Sequence, residues 1–528
     1  MALTLARIFA DGMVLQRDKA LELWGTAVPG EVVRVAIQGQ EATSAADYAG
    51  QWRCELAPLH GSEQETLDVV SGTERLSLTR VAVGEVFVAA GQSNMEYWMR
   101  YDRELEEARA SCANERIRFY DAPKCSYPGQ LEDFDYSEAG VWRTASPEEL
   151  DRFSAVAYYC ARVLEERLDV PIGIVGCNYG GTISSAWMRA DHARALEPEQ
   201  AAAFDAQLGD LSYAELLAQG RLNPKNDKGY ATWPAWNEFF LPRTPNEAEI
   251  AEFMRAEAAK ASGPADVGGL DVGASADGES ADVRPELLTP TKEAPGALYT
   301  HMVLPIAGFA ARGVLWYQGE SDDEIPAARP RYATALRAII ADWRAAWHDP
   351  ELAFLVVQLP GFGSWMGLPA GDYGAIRACQ QEVADDTEGV WLCSIGDMGD
   401  DHDIHPKVKR PVGERLALLA LCHLYGHGLL ADAPRVTEAQ RVGARVTIRF
   451  CHAGDGLTIE GAEVDDLRLH CGDRALPFAV HAEGDCLVLD LQREPSSELS
   501  VSYGQSNAHC LNLYNSAHIP ALPFVMCC

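Results

Sequence analysis

The sequence predicts an α/β protein in which a parallel sheet, covered by helices, is flanked at both ends of the chain by β modules. Three observations carry this expectation. Between residues 83 and 432, apolar runs of strand length alternate with helical patterns, the arrangement that builds parallel sheets covered on both faces. Residues 1–82 are instead short alternating runs punctuated by turn signals, the texture of a β-sandwich. That texture returns from about Val436 to Met526. The expected domains are therefore 1–82, 83–432 and 433–528.

The elements follow in order. Strand-like runs at 20–24, 31–37 and 66–70 are separated by turn signals such as Pro29-Gly30 and Ser71-Gly72. The apolar run 86–90 passes through Gly91 toward a charged helical stretch at 101–109. A helical pattern at 154–168 precedes a second buried strand at 172–175. A third strand, 313–317, precedes the helical pattern 332–347, and a fourth lies at 353–359. A last helical run covers 412–424, and alternation resumes at 445–450. Residues 262–282 break the pattern: five glycines, five acids, no aromatic residue and no Lys or Arg predict a flexible insertion. No fixed internal period is visible, which disfavours solenoids and propellers.

Composition narrows the function. The 528 residues are 47% hydrophobic and 23% charged, ordinary for a globular chain with a sizeable core. With 44 Lys and Arg against 78 Asp and Glu, the net charge is −34, unsuited to binding nucleic acid or anionic membranes. No apolar stretch is long enough to span a bilayer. Asp11 interrupts the N-terminal run early, so no signal peptide is expected. The 14 cysteines form no pairing pattern, CxxC pair or zinc-like cluster, and several sit inside apolar stretches as small hydrophobes. A reducing, cytoplasmic setting is expected, with no cofactor.

Four strand-end motifs carry chemistry. Gly91-Gln92-Ser93-Asn94-Met95 follows the first buried strand, where the ligand crevice of an open parallel sheet lies. Ser93 there is a nucleophile if a base reaches it, or simply a helix cap. Met95 stands where the G-x-S-x-G elbow needs glycine, which disfavours an α/β-hydrolase. The same tetrapeptide, Gly504-Gln505-Ser506-Asn507, recurs in the C-terminal β module without a following helix and reads as coincidence. Asn178-Tyr179-Gly180-Gly181-Thr182 either brings backbone N–H groups to a ligand or makes an ordinary turn. Trp316-Tyr317-Gln318-Gly319-Glu320-Ser321 offers Gln318 as an oxyanion donor or as a polar loop residue. Asp400-Asp401-His402-Asp403-Ile404-His405-Pro406 offers a carboxylate-flanked general base, or a metal site at His402 and His405. No second ligand cluster completes such a site, so no metal is expected. Nucleophile, oxyanion donors and base in one α/β segment make a complete inventory for acyl transfer.

In that order, Gly91 to Glu96, Gly180-Gly181-Thr182, Trp316 to Ser321 and Asp403 to Pro406 resemble the sialate O-acetylesterase family of SGNH/GDSL-type hydrolases. The likeness extends to residues 9–16 and 24–27, to Leu298, Tyr299, Met302 and Pro305, to 407–416, and to 512–515 with Pro520, Pro523 and Phe524. It covers most of the chain outside roughly 190–295. The resemblance implies a flavodoxin-like three-layer hydrolase domain flanked by β-sandwich elements. It implies Ser93 as nucleophile, His405 as general base, and an oxyanion hole made by the Ser93 and Gly181 N–H groups with the Gln318 side chain. Gln92, Asn94 and Glu320 are expected to bind substrate. Such enzymes commonly place Asp three residues before the His; here that position is His402, and Asp403 is the nearest candidate for a third triad member.

The implied activity is removal of O-acetyl groups from carbohydrate through an acetyl-serine intermediate. Sialic acid carries a carboxylate and calls for a cation in the cleft. Arg100, Arg189 and Arg377 lie near the motifs, though helix salt bridges are their usual role. Acetylated xylan or another neutral acetyl-sugar needs no such cation. A reading of another class is a carbohydrate-binding protein with a degenerate hydrolase domain. The oligomeric state is not legible.

Overall fold

The computed structural model describes residues 2–133, 136–219, 221, 234–261, 291–365 and 368–528. The acidic stretch 262–282 lies outside the described residues.

The N-terminal region holds two sets of antiparallel strands. Thr4–Leu5, Leu21–Thr26 and Gln51–Leu56 form one; Val32–Ile37, Gln40–Ala45 and Ser62–Ser71 lead through the other into β1, Glu74–Gly91. β1 explains how this region joins the rest. Its first half is largely exposed and pairs antiparallel with Ser62–Ser71, whereas every residue from Val81 to Gly91 is buried. One strand thus leaves a solvated hairpin and becomes the centre of a doubly covered sheet. The expected boundary at 82–83 falls inside it, so no linker separates the first two units. Their apolar residues form one continuous core from Leu3 to Ala431.

The site-bearing sheet continues with β2 (Asn114–Asp121), β3 (Trp142–Ala145), β4 (Ile172–Asn178), β5 (Gly313–Tyr317), β6 (Ala353–Val357) and β7 (Val390–Cys393). Side by side they run β3-β2-β4-β1-β5-β6-β7. Every pairing is parallel except that of β3 with β2. With the edge pair β2-β3 set aside, the order in chain sequence is 2-1-3-4-5. The chain therefore leaves β1 toward one side for β4 and toward the other for β5. Ligands bind outside the carboxyl ends at such a switch point.

Two helix pairs support the sheet. α1 (Ala155–Leu168) starts at Ser154, whose hydroxyl accepts from Ala157 N at 3.2 Å. It packs on a later helix, Arg410–His423, at Gly413, where a Cβ would lie 2.5 Å from Val156 O. α2 (Tyr332–Ala346) packs on α3 (Tyr373–Asp386), and Arg410–His423 is α4. The charged stretch at 101–109 is helical only over Leu105–Ser111, since its apolar positions are too few to anchor a longer helix.

The C-terminal module has its own core, from Val446 to Phe524, between two four-stranded antiparallel sheets. All fourteen cysteines are free thiols. Among the described residues, no helix is long and apolar enough to cross a membrane.

Candidate active site

The nucleophile turn is built by close backbone approach. Gly91 has φ +131°, and a Cβ there would lie 2.0 Å from Tyr317 O, so only glycine lets β1 end against β5. Gln92 N donates to Tyr317 O at 3.0 Å, and a single helical turn, Ser93–Glu96, follows. Gln92 holds the cap position, so Ser93 is the turn's first residue and not its cap.

β4 delivers the second turn to the same place. Tyr179 N donates to Gly91 O at 3.0 Å, and Gly180 N donates to Glu96 Oε2 at 2.6 Å. A Cβ on Gly180 would sit 3.3 Å from Ser93 Cβ, so the two turns touch. Gly181, at φ +64°, is exposed, and its N–H makes no hydrogen bond among the described residues. Beside a serine, an uncommitted N–H at a sheet's carboxyl edge can receive an oxyanion.

Gln318 is placed differently from the expectation. It is fully buried, and its Nε2 donates to Thr182 O at 3.1 Å and Asp322 Oδ2 at 2.5 Å. Both amide hydrogens are thereby committed, and none is left for an oxyanion. Gln92, Asn94 and Glu320, expected to bind substrate, are likewise all buried and engaged within the protein. Gln92 Oε1 accepts from Gly319 N at 3.3 Å and Ser321 N at 3.2 Å, tying the β1 turn to the β5 turn. Asn94 Nδ2 donates to Glu320 Oε1 at 2.6 Å and Ile404 O at 3.0 Å, while its Oδ1 accepts from Lys409 Nζ at 2.5 Å. Asn94 therefore joins the nucleophile turn to the histidine loop. Burial lifts the Glu320 carboxyl to about 7. Burial, with the Lys407 charge, lowers the Lys409 ammonium to about 7.

His405 is buried against Trp365, with ring centroids 5.4 Å apart, and Tyr97, at 6.3 Å. Among the described residues, neither ring nitrogen has a hydrogen-bond partner, which leaves both edges uncommitted there. Burial, then the charges of Lys407 and Lys409, hold this imidazole well below its usual range, so it is neutral and able to accept a proton. Asp403 is the nearest carboxylate, yet its Oδ1 lies 3.9 Å from His405 Nδ1, beyond hydrogen-bonding distance. It is committed elsewhere: Oδ1 accepts from His405 N at 2.8 Å, and Oδ2 pairs with Lys407 Nζ at 2.6 Å and accepts from Thr244 Oγ1 at 3.1 Å. In this geometry Asp403 shapes the loop instead of orienting the ring.

His402 is exposed, and it does not join His405 in a group of ligands. Among the described residues, the one His, Cys and carboxylate trio close enough to share an ion is Cys422, His423 and Asp432, at the far end of α4. His423 there is stacked on Trp391 and bonded to Asp432 at 3.0 Å.

The three arginines have other partners. Arg100 lies 3.2 Å from Glu238, and Arg189 2.7 Å from Asp191. Arg377 is buried and donates to the carbonyls of Pro360, Gly504 and Ser506, burial lowering its guanidinium to about 10. The second Gly-Gln-Ser-Asn is a docking segment: Asn507 Oδ1 accepts from Tyr373 N at 2.9 Å, and Ser506 N donates to Asp466 Oδ2 at 2.7 Å. The sequence reading missed the lysines. Lys407 and Lys409 follow the His-Pro pair closely enough to have been suspected. Lys292, whose Nζ donates to Gly180 O at 2.8 Å, carries no motif at all.

A family model described as "Carbohydrate esterase, sialic acid-specific acetylesterase" matches residues 289–420. The sialate O-acetylesterase of Mus musculus is 23% identical over 97% of this chain and 92% of its own length. That of Homo sapiens is 23% identical over 78% and 69%, respectively. A solved carbohydrate acetylesterase from Xanthomonas citri is 27% identical with a TM-score of 0.73, covering 99% of both chains. Over most of its length the chain is thus similar to carbohydrate acetylesterases. In this esterase the matched span holds Gln318, Glu320, Asp403 and His405, while Ser93 and Gly181 come from earlier strands.

Proposed function

We propose that this esterase removes O-acetyl groups from carbohydrates through an acetyl-Ser93 intermediate. The observation that carries the reading is the Gly180-Gly181 turn pressed on Ser93, with an exposed, uncommitted Gly181 N–H beside it. As the Ser93 hydroxyl attacks the acetyl carbonyl, His405 takes its proton and the carbonyl oxygen becomes an oxyanion held by the Ser93 and Gly181 N–H groups. Collapse breaks the ester bond, and His405 returns the proton to the departing sugar oxygen. Water, deprotonated by His405, then releases acetate from Ser93. The 2-1-3-4-5 strand order supports reading the domain as a flavodoxin-like, SGNH-type hydrolase.

For the substrate, the names of the curated relatives support O-acetyl sialic acid. The prior commitment of Arg100, Arg189 and Arg377 argues that neutral acetyl-sugars are accepted as well. Ser93→Ala is expected to abolish 4-nitrophenyl acetate hydrolysis with the fold intact, and Ser506→Ala to leave it unchanged. Peptide mass spectrometry after a rapid quench should find the acetyl group on Ser93. An active Ser93→Ala enzyme sinks the reading. On acetylated xylo-oligosaccharide against O-acetyl sialic acid, kcat/KM should differ by less than about a hundredfold, roughly 2.7 kcal/mol of barrier. A larger preference for the sialate requires a dedicated carboxylate site.

A further inference from the structure

We propose that Lys292 is a positioning residue of the oxyanion hole, acting through the Gly180–Gly181 peptide. The inference rests on the reading of the Gly181 N–H as an oxyanion donor. One peptide group carries both the Gly180 carbonyl and the Gly181 N–H. Lys292 Nζ donates to that carbonyl at 2.8 Å, while the N–H at the other end makes no bond among the described residues. A cation on the oxygen draws electron density from the amide and makes its N–H a stronger donor, the polarisation that runs along hydrogen-bond chains. An ammonium bonded to one end of a peptide thus acts on an oxyanion at the other end without touching it.

The surroundings keep that charge effective. Among the described residues, no carboxylate forms an ion pair with Lys292 Nζ within 4.0 Å, and Glu293 and Glu324 feel its charge only at longer range. The ammonium rests 5.2 Å from the centre of the Tyr179 ring, a favourable cation–π distance. It also flanks Gly181, lying 3.1 Å from the place a Cβ would occupy. Its chain neighbour Thr291 is anchored by Ser126, with hydroxyl oxygens 2.6 Å apart. The preceding peptide is fixed independently, because Gly180 N donates to Glu96 Oε2 at 2.6 Å. The turn is therefore held from both sides, and among the described residues only Lys292 bonds to the donating peptide itself. With the Gln318 amide committed to Thr182 and Asp322, the hole has two N–H donors, and strengthening one of them has a large share of the effect.

The full-length chain is tested as Lys292→Met and Lys292→Arg beside Ser93→Ala, with 4-nitrophenyl acetate as neutral substrate and phenylboronic acid as a tetrahedral oxyanion mimic. Loss of an interaction made only in the transition state predicts that Lys292→Met lowers kcat and kcat/KM together by about tenfold or more, with KM within about twofold. Phenylboronic acid affinity should fall in parallel, Lys292→Arg should restore most of both, and the melting temperature should stay near wild type. A Lys292→Met enzyme with unchanged kcat and unchanged boronate affinity overturns the inference. So does an effect confined to the KM of a carboxylated acetyl-sugar, which would make Lys292 a substrate contact. Ser93→Ala separates the two levels: if it stays active, the reading of the site falls as well; if it is dead while Lys292→Met is unaffected, this inference alone falls.

Discussion

At the residue scale, His405 shares a dry corner with two lysines, and this sets its behaviour. Its imidazole is held down by burial first, then by Lys407 and Lys409, so it remains an unprotonated base below pH 6.5, where an ordinary histidine has begun to titrate. The acid limb of kcat/KM is accordingly expected below pH 6.5, and Lys407→Met should move it upward, because removing a cation favours imidazolium. An acid limb above that value in the wild type would contradict this environment. Asp403 belongs to the same corner but serves Lys407 and the loop backbone. Asp403→Asn should therefore cost less than about tenfold in kcat/KM, under 1.4 kcal/mol of barrier, and not the orders of magnitude seen when a triad carboxylate is lost. Its larger effect should be on stability: a buried Lys407 left unpaired costs roughly 3–5 kcal/mol, which Lys407→Met in the same chain should largely recover. A loss of about a thousandfold in kcat/KM without loss of stability would restore Asp403 to the triad.

At the element scale, Ser93, Gly181 and Gln318 each sit where a strand ends, and this is why so much of the site was legible. Gly91, Gly180-Gly181 and Gly319 mark the turns after the strands, and glycine is conspicuous in sequence because Gly91, Gly181 and Gly319 take positive φ and Gly91 also meets the Tyr317 backbone. The strands β1, β4, β5 and β6 were likewise readable as apolar runs, buried on both faces. What a side chain bonds to across the fold was not readable. Gln318 looks like an oxyanion donor until the turn of Glu320–Asp323 brings Asp322 back onto its amide. Gln92 and Asn94 look like contacts for substrate until their loops are seen to meet. β2, β3 and α3 mix charged with apolar residues and gave no clean period. The turn contact makes its own prediction. Gly180→Ala would set a methyl 3.3 Å from Ser93 Cβ and 3.2 Å from Glu96 Oε2, tight enough to shift the nucleophile without unfolding the chain. Activity on 4-nitrophenyl acetate should drop by about a hundredfold, as sub-ångström misplacement does, while the melting curve moves little. Full activity in this variant would mean the two turns do not form one site.

At the scale of the whole molecule, the C-terminal module braces the loop that carries His405. Residues 507–511 lie along the segment 361–365 and the loop 396–401: Phe362 N donates to Asn507 O at 2.7 Å, and Leu511 N to Gly396 O at 2.9 Å. Ser364 N in turn donates to Asp401 O at 2.8 Å, and Asp400 N to Gly361 O at 3.2 Å. The loop ending in His405 is thus held by a segment that the module itself holds. Close packing adds to this, since a Cβ on Gly399 would fall 2.5 Å from His509 O, and one on Gly361 2.1 Å from it. The joint is locked by the buried Arg377, whose guanidinium reaches the carbonyls of Pro360, Gly504 and Ser506. Arg377→Met removes those donors and strands three carbonyls, each such loss costing roughly 1–3 kcal/mol where no water replaces the donor. Because the module has a core of its own, the expected result is a melting curve that splits into two transitions, the module releasing first. Activity should be lost with the first transition, and kcat should already be reduced below it, because a looser loop misplaces His405 more than it weakens sugar binding. Retention of full kcat after the module has melted would show that the histidine loop needs no brace and that the docking serves stability alone.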